Sequence, residues 1–207
     1  MLLTEADKQA IADAVKRAES TTSGEIVFAV TNDSGRYPQA ALQGALAGSI
    51  VSALIYLVLP VSHTISVLLW TEIIAFALFY PLIPHFPWRR WFIRAQEMEE
   101  CVRDAAFREF YTSGLYKTRD SNGVLIYLSC FERRVVVLGD KGIHEKMGDP
   151  HWSGVRDRII TGIKQGKAAE GICAAVESCG QALAEHFPLR PDDINELPDQ
   201  VIDRTSS

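Results

Sequence analysis

The 207-residue sequence predicts an α/β fold, a central mixed β-sheet flanked by helices and interrupted by a two-helix transmembrane hairpin. Three observations carry this. "GEIVFAV" (24–30), "NGVLIYLSC" (122–130) and "RRVVVLGDKGI" (133–143) are β-branched runs set among amphipathic helical stretches. Between Arg36 and Glu72 there is no Asp, Glu, Lys or Arg. A mean hydropathy of +0.03 in a chain with 23% charged residues points to one ordinary population of sequence and one very apolar one.

The first element is a helix. "LTEADKQAIADAVKRAES" opens with Thr4 as N-cap and Asp7 three residues later, a capping-box variant. Ile11, Ala14, Val15 and Ala18 share one face. "GEIVFAV" lacks the alternation of a half-exposed strand and reads as buried on both faces. "AQEMEECVRDAAFREFYTSGL" is amphipathic through Met98, Cys101, Val102, Ala105 and Phe110, and ends near Gly114. The two later strands form a hairpin turning around Phe131 and Glu132. Two helices follow, "HWSGVRDRIITGIKQG" and "AAEGICAAVESCGQALAEHF", with Val155, Ile159, Ile163, Ile172, Val176, Cys179 and Leu183 inward.

The apolar middle is long enough to cross a bilayer twice. A helix from Ala40 to Leu59 rises about 30 Å, the thickness of the hydrocarbon core. "PVSH" (60–63) is a turn, the spans run over 40–60 and 64–84, and Pro81, Pro84 and Pro87 mark the exit. Neither span has a polar face for water. Arg36, Arg89, Arg90 and Arg94 flank the spans while the turn has no Lys or Arg, so both flanks are expected in the cytoplasm of a cell with this protein in its inner membrane. Trp88 and Trp91 suit the interface on that side. Ala40, Gly44, Gly48 and Ser52 repeat every fourth residue, a small face against which a second helix packs closely. Glu72 falls level with Ser52. A charged, unpaired carboxyl at mid-membrane costs on the order of 3 kcal/mol, so Glu72 is expected to be protonated, hydrogen-bonded to Ser49 or Ser52, or facing another chain, with a role in packing or oligomer contact. Residues 1–36 and 92–187 should then form one discontinuous domain, with 37–91 inserted and 188–207 a polar tail.

Several function classes drop out. A net charge of −5 and a pI near 5.6 leave no electrostatic footprint for nucleic acid. The four cysteines form no C-x-x-C and no zinc spacing, which suits reduced thiols. No apolar signal segment precedes the first helix, so the N-terminus is expected to stay cytoplasmic. There is no H-E-x-x-H, G-x-S-x-G, P-loop, G-x-G-x-x-G or C-x5-R loop. What remains is acidic. A β-hairpin sets the start of its first strand beside the end of its second, so Asp120, Asn122 and Asp140 share a sheet edge. If strand one runs parallel to strand three, Asn32 and Asp33 join them. Oxygen ligands of this kind suit Ca2+ or Mg2+; the same residue types also make local turn hydrogen bonds. His144 and His151 flank the loop after Asp140 and are conceivable acids for phosphate-ester cleavage.

The helix before "TSGEIVFAV", the hairpin "TRDSNGVLIYLSCFERRVVVLGDKGI", Trp152 and the helix ending "IKQGKAAEGICAAVESCGQALAEHFP" together resemble the TPM domain. That family is named for a thylakoid acid phosphatase, a photosystem II repair protein and a levamisole-receptor modulator. "FPLRPDDINELPDQV" resembles the tail of bacterial members with a membrane hairpin inside the domain. The resemblance implies a mixed sheet flanked by helices and divalent-cation binding, chiefly calcium. It carries over Asp120 and Asp140, with Glu25 as a third position. It also implies either a non-catalytic accessory module serving another membrane protein or, alternatively, a metal-dependent phosphatase acting on phosphate monoesters. The commonest family pattern exports the domain, and a cytoplasmic placement departs from it.

Overall fold

A computed structural model describes residues 2–60, 64–190, 195–198 and 200–205, except the side chains of 144, 145 and 147–151. The chain forms two compact units, Met1–Ser34 with Glu99–Ser207, and Gly35–Met98. The expected "PVSH" turn falls largely on 61–63, outside the described residues.

The first unit is built on a four-stranded sheet in the order β3-β2-β1-β4. Its strands are β1 (Glu25–Thr31), β2 (Gly123–Ser129), β3 (Arg134–Gly139) and β4 (Ile202–Arg204). β1 runs parallel to β2 and to β4, and β2 runs antiparallel to β3. Every residue of β1 and β2 is buried, because both faces of these strands are covered. Ile26, Phe28, Val30, Val124, Ile126 and Leu128 pack against α1 (Glu5–Glu19), α5 (Lys141–Lys164) and α6 (Ala168–His186). Val27, Ala29, Leu125 and Tyr127 pack on the other face against Val102, Ala105, Ala106 and Phe110 of α4 (Ala95–Thr112). The period-2 geometry of a strand sends alternate side chains to these two cores.

Local signals explain the helix ends. Thr4 and Asp7 close the capping box on α1, the Thr4 hydroxyl accepting from Asp7 N–H and the Asp7 carboxylate accepting from Thr4 N–H at 2.8 Å. Beyond α4, Gly114 takes φ +82°, which a residue with a Cβ rarely adopts.

Two elements differ from the sequence reading. The segment 188–207 is no detached tail, since it supplies β4 beside β1 and belongs to the first unit. The signal was weak: β4 has three residues and one large aliphatic side chain, and it is held by polar pins. Lys8 pairs with Asp203, and Asn32 Nδ2 donates to Thr205 O. Secondly, α5 begins at Lys141, directly after β3, so "KGI" and the expected loop are helical. Asp140 starts it, one carboxylate oxygen accepting from Lys141 N–H at 2.7 Å.

The second unit is an antiparallel pair, α2 (Pro38–Val58) and α3 (Ile65–Leu82), followed by 3-10 turns at Ile83–His85 and Pro87–Phe92 that pack on α2. Pro38 sits at the first turn of α2, where its missing N–H has no partner to lose.

Candidate functional site

The sheet brings part of the expected acidic rim together. Because β1 parallels β2, Glu25 stands opposite Gly123, and Glu25 N–H donates to Asn122 O. Asp140 N–H donates to Gly123 O from the other side. Glu25, Asn122 and Asp140 thus lie at one end of the sheet. Asp120, two residues upstream of Asn122, is paired with Arg190 at 3.0 Å.

Asp33 is not part of this rim. The expectation required strand one to parallel strand three; β1 instead parallels β2, and β3 runs the opposite way. Eight residues separate Asp33 from Glu25, roughly 25 Å of extended chain. Asn32 goes with it to the far end, where it holds the C-terminal segment.

The donors fit a hard cation in kind but in small number. Among the described residues no three His, Cys, Asp or Glu side chains gather as metal ligands. One Glu25 oxygen accepts from Glu196 N–H at 2.9 Å. Against this, Asn122 Oδ1 and Asp140 Oδ2 are buried and without a hydrogen-bond partner, as is Ser23 Oγ. Buried oxygens are ordinarily satisfied, so orphans invite a water or an ion. A calcium ion takes six to eight oxygens, so these two side chains would be part of a shell completed by others. His144 and His151 lie within α5, and their side chains are outside the described residues.

The opposite end of the sheet holds a group the sequence reading missed. Glu132, in the β2–β3 turn, is 0% exposed. It accepts from Ser34 N–H at 3.0 Å and from the Ser129 hydroxyl, while Ser34 Oγ donates to Ser129 Oγ at 2.8 Å. Burial, with the Glu109 and Glu132 charges behind it, raises the Tyr127 phenol above its ordinary value. Burial also raises the Cys130 and Cys173 thiols and pushes Cys179 up to about 12. Thiols shifted this way hold little thiolate at neutral pH and make poor nucleophiles.

In the second unit the small face of α2 meets α3. A Cβ added at Gly44 would lie 2.9 Å from Ile83, and one at Gly48 would lie 2.5 Å from the Phe79 ring. Further along, Ser52 Oγ donates to Glu72 Oε1 at 3.2 Å, and Ser49 Oγ donates to the Glu72 carbonyl at 3.2 Å. Glu72 is the eighth residue of α3. It therefore stands about 10 Å from that helix's start, close to its middle. At the other end, Trp88, Arg89 and Arg90 occupy the Pro87–Phe92 turn, and Arg36 precedes α2.

Comparison with known proteins now bears on this geometry. Residues 93–182 match the family model of the TPM domain. Over this segment the chain is similar to the TPM domain. The match spans α4, the β2–β3 hairpin, α5 and most of α6, the segment that supplies Asp120, Asn122, Glu132 and Asp140. No curated protein matches the chain. The NMR structure of BA42 protein from the psychrophilic bacterium Bizionia argentinensis is similar with a TM-score of 0.60 and 26% identity. That likeness covers 97% of this chain and 94% of BA42, and it supports the TPM assignment.

Proposed function

We propose that this protein is an integral membrane protein whose TPM domain is a non-catalytic accessory module, docking another membrane protein beside the bilayer. The observation that carries the reading is the surface of the helical pair. Only Ala75 of α3 is buried, while Leu54, Leu57, Ile65, Trp70, Ile73 and Leu78 are each more than half exposed. Water does not tolerate a continuous apolar shell of this kind, whereas lipid does. Both helices are long and apolar enough to cross a membrane. The arginine bias argues for the inner membrane of a bacterial cell with both flanks cytoplasmic.

Partner docking is supported by an aromatic strip on the first unit. Phe107 and Tyr111, one helical turn apart on α4, are 45% and 62% exposed, and Tyr116 lies 5.4 Å from Tyr111 between ring centroids. Alkaline extraction tests the anchor: the chain should stay with the membrane, and release as a soluble oligomer would end the reading. Purified protein should not turn over phosphate monoesters. Rapid hydrolysis abolished by Asp140→Asn would replace the accessory role with the phosphatase.

A calcium or magnesium ion at the Asn122–Asp140 rim is a second part of the proposal, supported by the orphaned oxygens there. Its role would be to fix the β1–β2–β3 end of the sheet, with neutral and anionic oxygens replacing water around a hard cation.

A further inference from the structure

We propose that the exit of the helical pair is a binding site for the phosphates of anionic phospholipid headgroups, built from Arg36, Arg89, Arg90 and Arg94 with Trp88 and Trp91. It rests on the membrane reading above and adds a lipid preference to it.

Charge is the first argument. Residues 35–98 hold these four arginines and, as acids, only Glu72 and Glu97, a net charge of +2. The chain as a whole carries −5, so the other residues carry −7. Cations are thus gathered in the apolar unit of an otherwise acidic protein. All four lie at one end of it, and Glu72 lies deep in the apolar stretch.

Register is the second. Gly44 meets Ile83 and Gly48 meets Phe79, so four residues forward on α2 match four residues back on α3. Extending that step backwards sets Arg36 level with the Pro87–Phe92 turn, which packs on α2. Arg94 follows that turn by two residues. The cations therefore gather at the same end of the helical pair. Arg36 and Arg94 are exposed, and Arg89 and Arg90 are half-buried.

The third is aromatic. Trp91 is 85% exposed and Trp88 is 42% exposed, with Phe86 and Trp88 edge to face at 5.5 Å. An indole standing out among arginines suits the headgroup layer, where its apolar body and N–H are both satisfied. Guanidinium groups bind phosphate oxygens through paired N–H donors.

The test uses the full-length protein in nanodiscs of phosphatidylcholine mixed equally with phosphatidylglycerol. Lipids retained after purification are read by mass spectrometry. Phosphatidylglycerol should be enriched by about fivefold for each engaged arginine. The enrichment should fall in Arg36→Gln/Arg94→Gln, whose side chains are exposed, and survive in Arg36→Lys/Arg94→Lys. Equal retention of the two lipids by wild type, with normal insertion, would overturn the lipid preference and leave the membrane anchor standing. Failure of wild type to enter discs of pure phosphatidylcholine as well as mixed discs would overturn both.

Discussion

Gly48 and Phe79 are so close that a methyl group at position 48 would penetrate the aromatic ring, its carbon 2.5 Å from Cδ2. The ring approaches the α2 backbone this closely because residue 48 has no side chain to hold it off. Gly48→Ala should therefore push the helices apart and lower the stability of the pair by about 1–3 kcal/mol. Gly44→Ala meets Ile83 at 2.9 Å, a slighter overlap, and should be milder. Thermal unfolding in detergent compares the two. Equal, negligible losses would mean the helices are not packed through this face.

The Ser52–Glu72 hydrogen bond predicts an asymmetry between two conservative changes. Ser52→Ala removes the donor to Oε1 and leaves a carboxyl facing an apolar surrounding, for a loss of about 0.6–1.7 kcal/mol. Glu72→Gln keeps an acceptor oxygen for the same hydroxyl and should cost less. If Glu72→Gln proves as damaging as Ser52→Ala, the acid has a task beyond packing. Flux through reconstituted protein would then be the measurement to make.

These contacts were legible in advance because they follow from a four-residue repeat and a hairpin, both local properties. The capping box of Thr4 and Asp7 and the burial of β1 and β2 were readable for the same reason. Asp33 was misplaced because its position depends on which strand neighbours β1, a long-range fact that no local pattern encodes. Glu132 escaped notice since a carboxylate in a turn is usually solvated, and only the packing of Ser34 and Ser129 around it makes it internal. Asp140 was read as a ligand where it is first of all a helix cap; Asp serves both purposes, and the sequence around it does not separate them. β4 could not be seen because its attachment lies in Lys8 and Asn32, far away in the chain.

The attachment of β4 should fail in acid. The Lys8 ammonium, then Thr205, holds the Asp203 carboxyl down to about 2. An unfolded Asp titrates near 3.9 (about that value in model peptides). A group with a lowered native pKa favours the folded form above its unfolded pKa and stops doing so as pH falls through the native one. The strand should stay docked at neutral pH and loosen between about pH 4 and pH 2. Amide exchange at Ile202–Arg204 should accelerate in that window. In Asp203→Asn it should be fast at neutral pH, with a loss on the order of 1 kcal/mol. Unchanged exchange in the variant would show that backbone pairing alone secures the strand.

Asp140 allows the two roles of one carboxylate to be separated. Asn caps a helix about as well as Asp does, so Asp140→Asn should keep the hydrogen bond to Lys141 N–H. It loses only the attraction of a charge to the start of α5, about 0.3–1 kcal/mol. Without added ion, the melting temperature should move little. Bound calcium at a hundred times its dissociation constant would stabilise the wild type by about 2.7 kcal/mol. Removing the anion from the rim should erase most of that increment. Asp120→Asn should leave the increment largely intact, because that carboxylate is already engaged by Arg190. Identical calcium responses in wild type and Asp140→Asn would place the ion elsewhere. A wild type indifferent to both calcium and magnesium would leave the orphaned oxygens of Asn122 and Asp140 to water.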